Sequence, residues 1–198
     1  MDEKNRETLK YYDENAQSYS QSTLDADMSL SVNKFLSYVK DGGKILDAGC
    51  GSGRDSKTFV EKGYGVVSTD ASENMCREAE KLLHSQVLRL SFQNMDFEDE
   101  FDGLWCSASL LHVPDNEIDL AMDNIFRALK QNGILYVSFK YGTERYSKDG
   151  RHFFNYNEET VQKLLLDHSF VILETYVSSD VRKGRACEKW INCIAKKT

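Results

Sequence analysis

From Lys44 onward the chain alternates apolar runs of four to seven residues with longer segments of helical period, and that alternation restricts what it can become. The runs are Lys44–Asp47, Gly65–Thr69, Val87–Phe92, Phe101–Cys106, Ile134–Phe139, Phe170–Tyr176 and Trp190–Ala195. Helical spacing fills Arg54–Lys62, Ser72–His84, Asn116–Leu129 and Glu158–Asp167. Short strands that alternate with helices form a parallel sheet covered on both faces. Nothing helical separates the last two runs, so they form a hairpin and the final strand runs antiparallel. Two further helices, Asn5–Ser20 and Met28–Val39, precede the first strand. The expected fold is therefore α/β: a doubly wound, mostly parallel, seven-stranded sheet with an antiparallel C-terminal strand and an N-terminal helical cap. We expect a single domain over residues 1–198: the cap over 1–42, a ligand-binding half over 43–139 and a substrate-side half over 140–198.

In such sheets the ligand lies beyond the carboxyl ends of the strands, where strand order reverses. Asp47-Ala48-Gly49-Cys50-Gly51-Ser52-Gly53 stands at that end of the first strand. Alternate glycines let a backbone turn sharply and approach a ligand closely. Asp70 ends the second strand, placed to accept both hydroxyls of a ribose. The nicotinamide fingerprint Gly-x-Gly-x-x-Gly brings a helix N-terminus to a pyrophosphate. Here the third glycine comes one residue early and a carboxylate, Asp47, guards the entry. A negative charge there suits an ammonium or a sulfonium better than a pyrophosphate.

Ile45-Leu46-Asp47-Ala48-Gly49-Cys50-Gly51-Ser52-Gly53 resembles the first motif of the class I S-adenosylmethionine-dependent methyltransferases, and Ser68-Thr69-Asp70-Ala71-Ser72 resembles their ribose-binding second motif. Asn94-Met95-Asp96-Phe97 is similar to their adenine-binding turn, and Phe101–Val113 to the fourth strand and the loop that closes on the methionine moiety. Gly51-Ser52-Gly53-Arg54-Asp55 is also similar to the small tellurite-resistance-type members. The resemblance implies a Rossmann-like methyltransferase fold, S-adenosyl-L-methionine as cofactor, S-adenosyl-L-homocysteine as product and no metal. It implies that Asp47, Gly49, Gly51, Gly53, Arg54, Asp70, Ala71 and Ser107 hold the cofactor, with Met95, Asp96 and Phe97 around its base.

His112 follows the fourth strand, where the methyl acceptor would lie, and is the candidate catalytic base. Methyl transfer also proceeds by positioning alone, so a packing or lid role for His112 stays open. Tyr19, from the cap, is a candidate acceptor contact. The chain carries a net charge of −7, yet residues 140–198 hold 11 basic and 8 acidic side chains, net +3, against 14 and 24 elsewhere, net −10. Lys140, Arg145, Lys148 and Arg151 follow the fifth strand, and Arg182, Lys183, Arg185 and Lys189 lie in the final hairpin. Both segments open on the ligand face, so Lys140, Arg151 and Arg182 are candidate contacts to an anionic acceptor. Interleaved rings at Tyr141, Tyr146, Phe153, Phe154 and Tyr156 would allow stacking.

The expected function is methyl transfer by in-line displacement to a small or medium soluble acceptor. An RNA (tRNA) nucleotide methyltransferase and a catalytically silent cofactor-binding or partner protein are the alternatives, with a dehydrogenase behind them. Five cysteines without a Cys-x-x-Cys pattern argue against a zinc ribbon or disulfide framework. No apolar stretch is long enough to span a bilayer, and Met1–Arg6 lacks the apolar core of a secretion signal, so a cytoplasmic location without membrane partners is expected.

Overall fold

A computed structural model describes residues 3–182 and 184–198. Nine strands and six α-helices occur among them. Seven strands form one sheet: β1 (Lys44–Ala48), β2 (Gly65–Asp70), β3 (Leu88–Arg89), β4 (Phe101–Cys106), β5 (Leu129–Lys140), β8 (Phe170–Ser179) and β9 (Lys189–Lys197). Their spatial order is β3-β2-β1-β4-β5-β9-β8. Pairings from β3 to β5 are parallel, whereas β9 runs antiparallel between β5 and β8. Strand order reverses between β1 and β4, which opens a crevice above their carboxyl ends.

Period-two alternation along the strands sorts the core into two layers. Ile45, Trp105, Tyr136 and Ile194 face one side and pack on Val32 and Phe35 of α2 (Ser29–Leu36) and Phe59 of α3 (Arg54–Glu61). Trp105 and Tyr136, paired across β4 and β5, stack at 3.8 Å with rings 12° from parallel. Leu46, Leu104, Leu135 and Val137 face the other side, against α5 (Ile118–Ala128) and α6 (Glu158–Asp167). An Asn157 capping box starts α6 where the sequence places it, and Ser72 caps α4 (Glu73–Leu83) by accepting from Met75 N at 3.1 Å.

Three departures from the sequence expectation shape the site. The third strand shrinks to Leu88–Arg89, and the chain then turns through a short 3₁₀ segment, Phe92–Asn94. Residues Arg145–Lys148 (β6) and Arg151–Phe154 (β7), expected as loop, form a hairpin. Its two-residue turn is Asp149-Gly150, with φ of 53° and 78°, the left-handed pair that such turns require. The first helix, α1 (Glu3–Thr23), extends past Ser20 and is fastened at both ends of the crevice. Asp13 accepts from Ser72 Oγ (2.6 Å) and Asn74 N (3.2 Å) at the start of α4, while Thr8 Oγ1 accepts from His152 N (3.1 Å) on β7. The helix thus roofs the crevice.

Candidate active site

The β1 loop is shaped by packing and by its neighbours' hydrogen bonds. Gly49 N and Cys50 N both donate to Thr69 O, at 2.8 and 2.9 Å, tying the loop to β2. Gly49 adopts φ +75°, and a Cβ there would stand 2.4 Å from Ser109 Cβ, so only glycine fits. Asp70 accepts from Gly51 N (3.0 Å) through one carboxylate oxygen and from Ser72 N (2.9 Å) through the other. Each oxygen keeps a lone pair for a ribose hydroxyl.

Charge at the floor of the crevice is out of balance. Asp47 is buried beside Asp55 and Asp70 and accepts a hydrogen bond from Ser56 Oγ at 2.6 Å. Burial, followed by the Asp55 charge, lifts the Asp47 carboxyl well above the usual carboxylate range. Burial also pushes Asp70 up to about 6, against the lowering effect of its backbone donors. Arg54 lowers the Asp47 carboxyl only in part, because it is committed elsewhere. Its guanidinium pairs with Asp55, Nε to Oδ1 at 2.7 Å, and donates to Thr23 O at 3.0 Å. Trp105 Nε1 also donates to Asp55, at 2.9 Å. Ser91 Oγ, buried on the same wall, has no hydrogen-bond partner among the described residues. A ligand with hydroxyls, ring nitrogens and positive charge would complete this set.

The crevice continues as one cavity of about 300 Å³ toward β7 and the β8–β9 turn. His112 stands at that end with both ring nitrogens engaged. Nδ1 donates to His152 O at 2.6 Å, which leaves Nε2 to accept from Tyr12 Oη at 2.9 Å. Burial is the main cause that lowers His112 to about 4, and Arg151 and Lys140 add to it. Tyr12 is itself raised, chiefly by burial, and meets Tyr19 edge-on at 5.0 Å.

Among the residues singled out from sequence, Asp47, Gly49, Gly51, Arg54, Asp70, Ala71 and Ser107 line this cavity, as do His112, Tyr19, Lys140, Arg151 and Arg182. Four do not. Gly53 opens α3 at φ +79° against Ala79 and Leu83 of α4, so helix packing accounts for it. Met95 is buried in the core, Phe97 meets Phe101 edge-on at 5.1 Å, and Asp96 is exposed. The shortened β3 is the reason: the 3₁₀ turn brings Leu90, Ser91, Phe92 and Gln93 to the cavity and carries the next residues past it. Trp190 and Asn192 also reach the wall, and Tyr12, which helical spacing assigns equally well to the core, faces it too. Lys183 lies outside the described residues. Among these residues no cluster could hold a metal ion.

A doubly wound sheet with one antiparallel strand, a glycine turn after β1 and an acid closing β2 defines the class I methyltransferase fold. Residues 45–133 match a methyltransferase domain family model. Mouse glycine N-methyltransferase is 32% identical over 117 residues, 49% of this chain and 40% of that protein. The chain spans half or less of the length of the first curated relatives it matches. Among solved structures, Burkholderia thailandensis 1,6-didemethyltoxoflavin-N1-methyltransferase, with its acceptor and S-adenosylhomocysteine bound, superposes with a TM-score of 0.82 at 20% identity, over 98% of this chain and 87% of that one. Magnesium protoporphyrin IX methyltransferase from Synechocystis, with S-adenosylmethionine bound, gives 0.71 at 18% identity, over 100% and 99%. The fold is thus that of the class I S-adenosylmethionine-dependent methyltransferases, and residues 45–133 match a methyltransferase domain.

Proposed function

We propose that the protein transfers a methyl group from S-adenosylmethionine to a small soluble acceptor held under α1 and the β6–β7 hairpin. The observation that carries this reading is the unbalanced pair of buried acids, Asp47 and Asp70, at the point where strand order reverses. A sulfonium and an ammonium neutralise them, and a ribose uses the free lone pairs of Asp70. When bound, S-adenosylmethionine supplies an electrophilic methyl group. Asp70 orients the ribose, Asp47 and the Gly49–Gly51 backbone face the methionine portion, and Ser91 and Gln93 stand where the base would rest.

Tyr12, Tyr19, His112 and Phe153 exclude water from the acceptor end and leave room beside Lys140, Arg151 and Arg182. Holding nucleophile and methyl in line supplies most of the rate without a metal. The basic residues bear on the RNA reading. Lys140 is bound by Glu188 at 2.6 Å, Arg182 by Asp180, and Arg145 by Asp115 at 3.0 Å. Self-paired cations of this kind do not offer a phosphate track, which favours a small acceptor. Five free cysteines are in keeping with a cytoplasmic setting, and no helix among the described residues is long and apolar enough to cross a membrane.

The test has two arms. Calorimetry should show S-adenosylhomocysteine binding at one site, with NADH giving no heat. Methyl-labelled S-adenosylmethionine, incubated with protein and cell extract split into RNA, protein and metabolite fractions, should label the metabolite fraction. Label in RNA would establish the alternative, and no binding of S-adenosylhomocysteine would end the proposal.

A further inference from the structure

We infer that the acceptor end takes its substrate as an aromatic anion, held by the Arg151 guanidinium against the Tyr12–His112 pair, which positions the acceptor and does not deprotonate it. This rests on the methyl-transfer reading above and adds the chemical class of the acceptor.

Four half-buried cations face the cavity, and three are already neutralised, Arg54 among them by Asp55. Lys140 Nζ lies 2.6 Å from Glu188 Oε2. Arg182 engages both carboxylate oxygens of Asp180, which also accepts from Trp190 Nε1 at 3.1 Å. Arg151 differs. Among the described residues its one ion pair is a single 3.4 Å contact to Asp149, a turn residue whose side chain is 60% exposed. Arg151 itself is only 14% exposed, and its Nε, although buried, has no hydrogen-bond partner among the described residues. Two rings hold the guanidinium in place: its centre sits 4.2 Å from the Tyr11 centroid and 5.4 Å from that of Phe153. The other cations on the wall are weaker competitors, since Lys148 is exposed and Arg185 is 45% exposed and 3.7 Å from Glu188. The neutral Tyr12 hydroxyl also interacts with it, but a desolvated cation with one distant anionic partner is costly until a further anion joins it.

The Tyr12–His112 pair explains why that anion must arrive already formed. The His152 carbonyl fixes the proton on His112 Nδ1, and the Tyr12 hydroxyl occupies Nε2. Neither nitrogen is left to take a proton from the acceptor. Burial, Arg151 and Lys140 all disfavour an imidazolium at this position. The nearby carboxylates among the described residues are already engaged: Glu188 and Asp180 are paired, and Asp149, 60% exposed at the cavity edge, is the ion-pair partner of Arg151 itself. Tyr19, the other ionisable residue of α1 that lines the cavity, packs edge-on against Tyr12. With an anionic acceptor the step balances without a base. The acceptor's lone pair forms the bond to the methyl carbon, the sulfur–methyl bond breaks, and its electron pair goes to sulfur. Positive and negative charges cancel and no proton is left over. The ring follows from the walls: Tyr12 and His112 meet at 5.5 Å and His112 and Phe153 at 4.9 Å, leaving flat apolar surfaces beside the cation.

The probe is 4-nitrophenol, whose colour reports its own ionisation, titrated with protein saturated with S-adenosylhomocysteine. Its apparent pKa should fall by about one unit, a tenfold preference for the anion. Arg151→Gln should abolish the shift while leaving S-adenosylhomocysteine affinity intact, which certifies the fold. His112→Leu, which strands the Tyr12 hydroxyl, should weaken nitrophenolate binding about tenfold. His112→Gln should restore it, because an amide can donate to His152 O and accept from Tyr12. An unshifted pKa, a shift that survives Arg151→Gln, or no difference between His112→Gln and His112→Leu would overturn the inference. Loss of S-adenosylhomocysteine binding by the wild-type protein would instead remove the methyl-transfer reading beneath it.

Discussion

The two buried acids make cofactor binding a proton-linked event, and lowering the pH is the perturbation that reveals it. Burial holds Asp70 at about 6 in the ligand-free protein and lifts Asp47 in the same direction. A bound cation and two ribose hydroxyls favour the ionised carboxylates, so binding expels whatever protons they carry. Affinity therefore rises with pH and flattens once both acids are ionised. For Asp70 alone, the protonated fraction at pH 5 weakens binding about tenfold relative to pH 8, about 1.4 kcal/mol, and Asp47 adds to this. Calorimetry of S-adenosylhomocysteine between those limits measures the slope, and buffers of different ionisation enthalpy count the protons released. Asp47→Asn keeps an oxygen for Ser56 Oγ and should remove its share of the slope, leaving that of Asp70. The same shifts act on stability with the opposite sign. Between about 4 and 6 the folded, ligand-free chain holds the Asp70 proton and the unfolded chain does not, so this group's contribution falls as pH rises. The gain in Tm on adding ligand should thus be larger at pH 8 than at pH 5. A dissociation constant that changes less than about threefold across this range, with no proton released near pH 6, would refute the reasoning.

Two other predictions test what holds the site in place. Gly49→Ala should cost about 2–4 kcal/mol, since it adds left-handed strain to a 2.4 Å clash with Ser109 Cβ. Ser109→Gly in the same chain should recover part of that loss in thermal unfolding, and no recovery would mean that Ser109 is not what excludes the side chain. Asp13→Ala removes the acceptor for Ser72 Oγ and Asn74 N and should cost about 1–2 kcal/mol. Amide exchange across α1 should then accelerate and the cofactor bind more weakly; unchanged protection in α1 would show that the helix is fastened elsewhere.

Much of the architecture was legible along the chain because its cause is local. Runs such as Phe101–Cys106 and Ile134–Phe139 carry their own burial, and the missing helix between β8 and β9 dictates a hairpin. The β6–β7 hairpin has a local signal as well, Asp149-Gly150 between Tyr146 and Phe153. Asp70 could be placed on the cavity wall because the end of a strand is a fixed address in this topology. The wall beyond β3 could not: whether β3 runs for two residues or six depends on packing against α5, and that decides whether Gln93 or Asp96 reaches the cavity.

Sequence by itself determined the sheet, the glycine turn and the acids at the strand ends, because repeating side-chain patterns and backbone requirements act over a few neighbouring residues. Tertiary structure alone decided which cations are free and which titratable groups are tied. Tyr12, His112 and Arg151 come from segments separated by some 40 to 140 residues, and their hydrogen bonds and pairings exist only once the helix, sheet and hairpin have packed together. Lys140, Arg151 and Arg182 read alike as basic residues on two loops. Glu188 and Asp180 neutralise two of them closely, and only the folded chain shows that Arg151 has just the exposed Asp149 at 3.4 Å.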